Sequence, residues 1–253
     1  MKKQILLALT VIFIFASKVG VCQKNGEDKK FSIGISVGAG IPLGAFGSKN
    51  SDTTSAAQMD STHRENGYAN AGFHFDVTIG YRFINNLGVA ILVGGNMNSF
   101  DATTYTSVNG VKSPETFTST SYYVGQYLVG PFAYFPAGDK LRITVRALFG
   151  LVTANTPTET FTTTVFSTTA TSVTSGNSGS GFGYQFGAGI KYNFSDNVGL
   201  LFNVDYAGST IAYTGYTVAS TFGSSSSTHE NTTLKSTMDL GIISTTLGVA
   251  FSF

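Results

Sequence analysis

The feature that most constrains this chain is a strict alternation of large apolar residues with small or polar ones, repeated in eight segments. The segment from Ala71 to Phe83 shows it most clearly. Its odd positions from Phe73 onward are aromatic or branched, and its even positions are Gly, His, Asp, Thr and Arg. A period of two places successive side chains on opposite faces of a β-strand. Since no helical periodicity accompanies this pattern, we expect an all-β protein.

The alternating segments and the turn residues between them predict eight strands. They run over Phe31–Ile41, Ala71–Phe83, Leu87–Met97, Tyr122–Phe135, Leu141–Leu151, Phe182–Phe194, Val198–Tyr206 and Leu240–Phe253. Gly130-Pro131 predicts a bulge in the fourth strand, because Pro cannot donate to a strand ladder. The inward face of that strand stays open, since both of its faces carry aromatic residues.

The lengths of the connections indicate a topology. Three connections are tight turns, whereas four are long and rich in Ser, Thr, Asn and Gly, near residues 42–70, 99–120, 153–180 and 208–238. Short and long connections alternate strictly along the chain. This alternation is typical of an up-and-down membrane barrel with both termini and the short turns in the periplasm and with long extracellular loops.

The ionisable residues of the strands indicate which face meets lipid. Seven of them lie opposite the bulky residues of their own strands: His74, Asp76, Arg82, Arg142, Arg146, Lys191 and Asp205. Their face is also rich in Gly, Ala and Ser, which suits the narrow interior of an eight-stranded barrel. We therefore predict a closed antiparallel transmembrane barrel with its large rings toward lipid. A soluble barrel with the bulky face turned inward around a ligand is the alternative.

The composition agrees with a barrel of this kind. Only 11% of the 253 residues are charged and the net charge is +1, whereas an ordinary soluble domain carries about 25% charged residues. Such a chain offers no basic surface for nucleic acid. The single cysteine excludes an internal disulfide.

The N-terminus has the features of an export signal. Lys2 and Lys3 precede an apolar run over residues 5–16, which is too short to span a bilayer. Cys22 as a lipidated residue is the alternative, but the bulky Val21 precedes it. We therefore divide the chain into a signal peptide at 1–22, a short periplasmic tail at 23–30 and the barrel at 31–253.

The C-terminal strand carries a family likeness. Apolar residues at every second position end in a terminal Phe, and this pattern resembles the assembly signal of outer-membrane barrels: Leu247, Val249, Phe251 and Phe253. The mature chain resembles the small eight-stranded class to which the OmpA transmembrane domain and OmpX belong, and residues 129–132 and 187–192 are similar to its PorT-like branch. The resemblance implies the bacterial outer membrane as location, its lipid as surroundings, and the barrel-insertion machinery as a partner during assembly.

The seven ionisable residues of the inward face have two interpretations. They form either a binding or gating cluster or a network of salt bridges, and we favour the network because buried charges require partners. Arg146 is predicted to pair with Asp76 or Asp205. Side chains fill the interior of an eight-stranded barrel, so bulk diffusion is not expected.

The loops contain residues that would suit a lipid-modifying enzyme. These Ser/His/acid sets are Asp60, Ser61, His63 and Glu65, and Ser227, His229 and Glu230. Neither Ser61 nor Ser227 lies in a strained nucleophile motif such as G-x-S-x-G. We predict no enzyme and no cofactor, and the three scattered histidines give no spacing for a metal site.

Two loop segments differ from ordinary loops in composition. Residues 160–166 and 211–218 are β-branched and aromatic, which predicts that strands continue beyond the membrane as an extracellular sheet. The edge of such a sheet can accept a partner strand. A structural or surface-interaction role toward an extracellular protein or glycan is therefore the predicted function. Inert shielding, a narrow pore, or an accessory of a transport or secretion system are the alternatives.

Overall fold

A computed structural model of the chain describes residues 29–50, 62–64, 66–84 and 86–253. The predicted signal peptide over 1–22 and most of the predicted tail lie outside the described residues. That division of the chain therefore stays a prediction. Within the described residues, no helix is long and apolar enough to cross a membrane.

The described strands belong to one sheet, of which eight members form a ring. The strands are β1 Phe31–Leu43, β2 Thr62–Arg64, β3 Gly72–Ile84, β4 Leu87–Ser99, β5 Thr116–Ser119, β6 Ser121–Pro136, β7 Leu141–Asn155, β8 Glu159–Val165, β9 Thr168–Thr174, β10 Ser178–Asn193, β11 Val198–Phe222 and β12 Ser225–Ser252. The ring order is β1-β3-β4-β6-β7-β10-β11-β12, all neighbours are antiparallel, and β12 pairs again with β1. The predicted eight-stranded up-and-down barrel is confirmed.

One end of the barrel carries the three short turns. The backbones of Phe31 and Phe253 exchange hydrogen bonds of 3.2 and 2.8 Å there, and the Ser252 amide donates to Asn197 in the turn between β10 and β11. The described N-terminal residues and the C-terminus therefore lie at the short-turn end. The long connections leave from the opposite, long-loop end.

The exterior of the barrel is apolar, as the alternation predicts. On β3, Phe73, Phe75, Tyr81 and Phe83 point outward and are 47–57% exposed, whereas His74 and Asp76 between them are 1% exposed. The rise from Phe73 to Phe83 is about 33 Å along the strand, or about 25 Å along the axis of a strand tilted by about 40°. This is the height of the apolar band on membrane barrels.

Beyond the barrel, strands continue at the long-loop end. Residues 215–222 of β11 and 225–235 of β12 pair as a hairpin, and β9, β8 and β5 extend it in the order β12-β11-β9-β8-β5. We call this five-stranded extension the outer sheet. The register shifts between Thr214 and Tyr216, where Gly215 has a φ of 75°, so a bulge marks its base. The predicted strand continuation is confirmed, and the segment near 208–238 is a hairpin rather than a loop.

The fourth strand of the ring, β6, differs from the prediction at Gly130-Pro131. The register between β6 and β7 is the same on both sides, at Val129↔Phe149 and at Phe132↔Arg146, so the predicted bulge is wrong. Gly130 instead permits close approach, because a Cβ there would overlap the backbone oxygen of Ala147. The inward face of β6, which the sequence left open, carries Tyr122, Val124, Gln126 and Leu128.

An aromatic cluster covers the long-loop end of the barrel interior. We call it the aromatic cap, and it consists of Phe46, Tyr68, Phe100, Tyr105, Phe117 and Tyr122. Phe46 lies in a short 3₁₀ turn over Gly44–Phe46, and Tyr105 lies in helix α1, Ala102–Val108. The sequence did not predict this helix, because seven residues are too few to display a helical period.

Candidate functional site

A chain of polar contacts crosses the barrel interior near its middle. Arg146 on β7 donates from Nε and Nη2 to the two carboxylate oxygens of Asp205 on β11, at 2.7 and 2.6 Å. Its Nη1 donates to Thr78 Oγ1 on β3 at 3.3 Å. Two strands, β4 and β6, separate β3 from β7 in the ring, so Arg146 reaches across the lumen. Asp76 and Asp205 were the two predicted partners of Arg146, and Asp205 is the one in direct contact with it.

The chain continues along β3 toward β4. Thr78 Oγ1 donates to Asp76 Oδ1 at 3.2 Å, and Asp76 Oδ2 lies 3.5 Å from His74 Nε2. His74 Nδ1 lies 2.9 Å from Asn96 Oδ1. Two carboxylates thus share this interior with one guanidinium and one imidazole. Only the Arg146–Asp205 pair is bidentate, whereas Asp76 Oδ2 and His74 Nε2 are buried without a hydrogen-bond partner among the described residues.

The other three predicted residues lie apart from this chain, toward the short-turn end. Lys191 Nζ donates to Ser252 Oγ at 2.6 Å. Arg142 Nη1 donates to the backbone oxygens of Gly138 and Leu141 at 2.6 and 3.0 Å. The Arg82 guanidinium lies 5.8 Å from the centre of the Tyr134 ring and donates to the Lys29 carbonyl. The seven residues therefore form two groups rather than one network.

The lumen also holds large apolar side chains, which corrects the expectation of an interior filled by small and polar residues. Leu92, Leu128 and Leu148 are buried there, together with Ile211 and Ile242, and we call the three leucines the leucine layer. The buried amides of Gln126 and Gln185 lie beside it. The alternation assigns Leu92 and Leu148 to the inward face, whereas Leu128 lies on the strand whose inward face the sequence left open and Ile211 lies beyond the predicted seventh strand. Where no ionisable group is present, apolar side chains fill an interior most favourably. A cavity of about 10 Å³ lined by Val124, Gln126, Val152, Ala207, Gly208, Ser209, Leu240 and Ile242 remains. It has space for about one water molecule.

Hydrogen bonds and an ion pair hold the aromatic cap in place. Tyr122 Oη donates to the Gly67 carbonyl at 2.7 Å. Asp101, the N-cap of α1, accepts from the Thr104 amide at 3.0 Å and from Lys49 Nζ at 2.8 Å. The hydrogen bond from Lys49, followed by that from the Thr104 amide, lowers the pKa of Asp101 to about 2. Asp101 is therefore ionised and paired at neutral pH.

One face of the outer sheet forms a groove between two phenylalanines. The register aligns Phe161, Ser172, Ser220 and Ser227 in one row across β8, β9, β11 and β12. The adjacent row on the same face consists of Thr163, Ala170, Phe222 and Ser225. Because small side chains lie between the two rings, the face has an open depression of about 380 Å³. We call it the hydroxyl groove. Its complete lining is Phe161, Thr163, Ala170, Thr171, Ser172, Ser220, Thr221, Phe222, Ser225, Ser226 and Ser227, without a charged residue.

The second catalytic set of the sequence analysis lies beside this groove but does not converge. Ser227 and His229 are two residues apart on β12 and share a face, whereas Glu230 alternates to the opposite face. The row of His229 leads through Val218 and Thr174 to Glu159. Three strand spacings of about 4.8 Å put that carboxylate about 14 Å away. The geometry therefore assembles no Ser/His/acid triad from this set.

The remaining predicted residues are placed as follows. Asp60, Ser61, His63 and Glu65 fall outside the residues whose side chains the structure describes. Leu247, Val249 and Phe251 point outward from β12 toward the lipid face, and their part in assembly stays a prediction, as does that of Phe253. Among the described residues, no group of three or more His, Cys, Asp or Glu could hold a metal ion.

Comparison with protein families gives a match over nearly the whole chain. The family described as outer membrane protein beta-barrel domain matches residues 6–251. No curated protein matches. This family match agrees with the ring of strands and the apolar exterior described above.

Among solved structures, three small outer-membrane proteins illustrate the level of similarity. The attachment invasion locus protein Ail of Yersinia pestis is 14% identical, with a TM-score of 0.43 over 89% of this chain and 99% of that one. Neisserial surface protein A is 13% identical, with a TM-score of 0.45 over 90% and 98%. The outer membrane protease OmpT of Escherichia coli is 9% identical, with a TM-score of 0.46 over 92% and 99%. These similarities are too low to indicate a function.

Proposed function

The chain belongs to the outer membrane protein beta-barrel domain family, and from that premise we propose that it acts without catalysis, as a surface-interaction protein. Its outer sheet makes the contacts on the extracellular side, and its termini and short turns lie in the periplasm. The barrel anchors this sheet in the outer membrane. Short periplasmic turns and longer external segments are the usual orientation of bacterial barrels.

The length of the outer strands carries this proposal. β11 has 25 residues and β12 has 28, so β11 extends over about 80 Å at about 3.3 Å per residue. An apolar band of about 25 Å requires only about ten residues of a tilted strand. More than half of each strand is therefore unnecessary for crossing the membrane. The surplus forms an ordered sheet, which is the form a binding surface takes.

The filled interior favours this role over a narrow pore. Arg146 crosses the lumen to contact Asp205 and Thr78, and the leucine layer fills further space in the lumen. A solute would have to displace both a desolvated ion pair and packed side chains. The separation of Glu230 from Ser227 and His229 likewise supports a role without catalysis.

The proposal is tested on bacteria that display the protein. One variant lacks β8 and β9 and has the β11–β12 hairpin shortened to a tight turn at residue 215, and a second variant, Leu148→Ala, keeps the outer sheet intact. We expect the first variant to lose adhesion to host-cell or biofilm surfaces and the second to retain it. Equal adhesion of both at equal outer-membrane levels, checked by heat-modifiable gel migration, would contradict the proposal.

The orientation has a separate test. Ser225→Cys lies at the tip of the outer sheet and Asp139→Cys lies in a short turn, and both positions are exposed. We expect a membrane-impermeant maleimide to label the first on intact cells and the second only after permeabilisation. The reverse pattern would place the outer sheet in the periplasm.

A further inference from the structure

The hydroxyl groove has a lining of one chemical kind. Of its residues, most carry hydroxyls, two are phenylalanines and one is alanine, and none is charged. The hydroxyls of Ser172, Ser220 and Ser227 have no hydrogen-bond partner in the part of the chain that the structure describes. Each can donate one hydrogen bond and accept others. The serine row therefore presents three such hydroxyls to whatever enters the groove, whereas the hydroxyls of Thr171 and Thr221 bond within the sheet.

The two rings give the groove an apolar side at each end. Phe161 is half-buried and Phe222 is exposed, and they lie in adjacent rows on different strands. Phe117 on β5 pairs with Phe161 and extends the aromatic side of this face. An occupant that matches the groove thus has a hydroxyl-rich rim and an apolar C–H face. A saccharide ring combines these two properties.

The absence of charged residues from the groove favours neutral over acidic saccharides. Recognition of sulfate, phosphate or carboxylate relies on Arg or Lys, and the groove contains neither. The ionisable residues of the neighbouring row, Glu159 on β8 and His229 on β12, lie three strands apart and outside the lining of the groove. A volume of about 380 Å³ lies within the range of small-ligand pockets.

We propose that the hydroxyl groove binds a neutral saccharide, with Phe161 and Phe222 against its C–H faces and the serine row on its hydroxyls. This proposal rests on the surface-interaction function and specifies its ligand class. The serines select hydroxyl groups by hydrogen bonding, and the rings bury apolar area.

The test uses the full mature chain, folded in a detergent without a sugar head group. Maltohexaose, cellohexaose and mannohexaose are the neutral probes, and a heparin-derived hexasaccharide is the acidic one. We expect at least one neutral probe to give saturation-transfer NMR signals and a calorimetric isotherm. The acidic probe should give neither.

Two neighbouring substitutions on β12 provide a matched pair. Ser227→Tyr fills the groove, whereas Thr228→Tyr places the same ring on the opposite face of the same strand. We expect the first to weaken binding at least tenfold and the second to leave it within twofold. Phe161→Ala should also weaken it at least tenfold, and Phe166→Ala, at the 97% exposed tip of the β8–β9 turn, should not. Heat-modifiable migration checks that each variant folds.

Three results would overturn the inference: no neutral probe binds, Ser227→Tyr binds as well as the parent chain, or the acidic probe is preferred. Failure of the saccharide proposal is distinguishable from failure of the proposed surface-interaction function. If shortening the outer sheet abolishes adhesion while no neutral probe binds, the surface role stands and the saccharide site does not.

Discussion

The strands β11 and β12 run through two regions of the molecule, the barrel and the outer sheet. Side chains alternate between two faces in both regions, but the surroundings of those faces differ. Within the barrel, their inward residues face other strands across the lumen and are buried, as Asp205, Ile211 and Met238 are. Beyond Gly215 the same strands enter the outer sheet, where the serines of the groove face solvent. Alternation determines which side chains share a face. The strands opposite that face determine whether it becomes a core or a binding surface.

The two regions also differ in the surroundings of their polar side chains. In the lumen, Arg146 and Asp205 satisfy each other in a place that water reaches poorly. In the hydroxyl groove, the polar atoms are left for solvent or a ligand. We therefore expect substitutions in the lumen to change stability and substitutions in the groove to change binding.

The largest effect is expected for Arg146→Met. Removing the guanidinium leaves Asp205 buried without a partner, which typically costs about 3–5 kcal/mol in the free energy of unfolding. Equilibrium urea unfolding in lipid vesicles measures this loss. Adding Asp205→Leu should restore much of it, because an apolar pair needs no desolvation. Lys140→Met in an exposed short turn is the control and should stay within about 0.5 kcal/mol. A loss of under about 1 kcal/mol for Arg146→Met would show that water screens the lumen pair.

The next-largest effect is a difference in stability between substitutions on the inward and outward faces of β7. Leu148 is buried in the leucine layer, whereas Leu151 points outward and is exposed. Leu148→Ala should lose about 2–5 kcal/mol, because it removes packing and leaves a cavity. Leu151→Ala should lose no more than about 1–2 kcal/mol, since lipid chains can fill the vacated space. If the two variants unfold at the same urea concentration in vesicles, the leucine layer is not closely packed.

A smaller and pH-dependent effect is expected at the aromatic cap, between the two regions. The pKa of Asp101 is lowered from 3.8 to about 2, so its contacts with Lys49 and Thr104 stabilise the cap fully above about pH 4. That contribution decreases as the pH falls toward 2, because the carboxyl becomes protonated. The Thr104 amide shift in NMR follows this change. Asp101→Asn, which still caps the helix, should remove the transition, and a transition near pH 4 in the parent chain would contradict the ion pair.

The sequence predicted the parts of the fold that depend on local pattern. A period of two is enough to assign Asp76, Arg146 and Asp205 to the inward face and Phe75 to the outward one. It does not give the height of a residue in the barrel or its partner across the lumen, since these depend on the stagger between strands. Arg146 could therefore be assigned two partners from the sequence, and only the assembled ring selects Asp205.

The hydroxyl groove was even less predictable from the sequence than the partner of Arg146. Phe161, Ser172, Ser220 and Ser227 come from four strands, and nothing in the sequence relates one to another until the register aligns them. The helix α1 was missed for a different reason. It depends on the Asp101 cap and on the packing of Tyr105 against Phe117 rather than on a periodic face.

The smallest stability effect is expected in the groove itself, and it completes the comparison with the lumen. Ser220→Ala and Ser172→Ala remove hydroxyls that bond to no described protein group, so each should change the free energy of unfolding by less than about 0.5 kcal/mol. Both should weaken neutral-saccharide binding, because a hydrogen bond to the ligand is lost. Ser36→Ala, at a buried hydroxyl in the lumen, is the matched control and should leave binding unchanged. If the groove variants unfolded as readily as Leu148→Ala, the serine row would be part of a packed core, and the distinction between the two regions would fail.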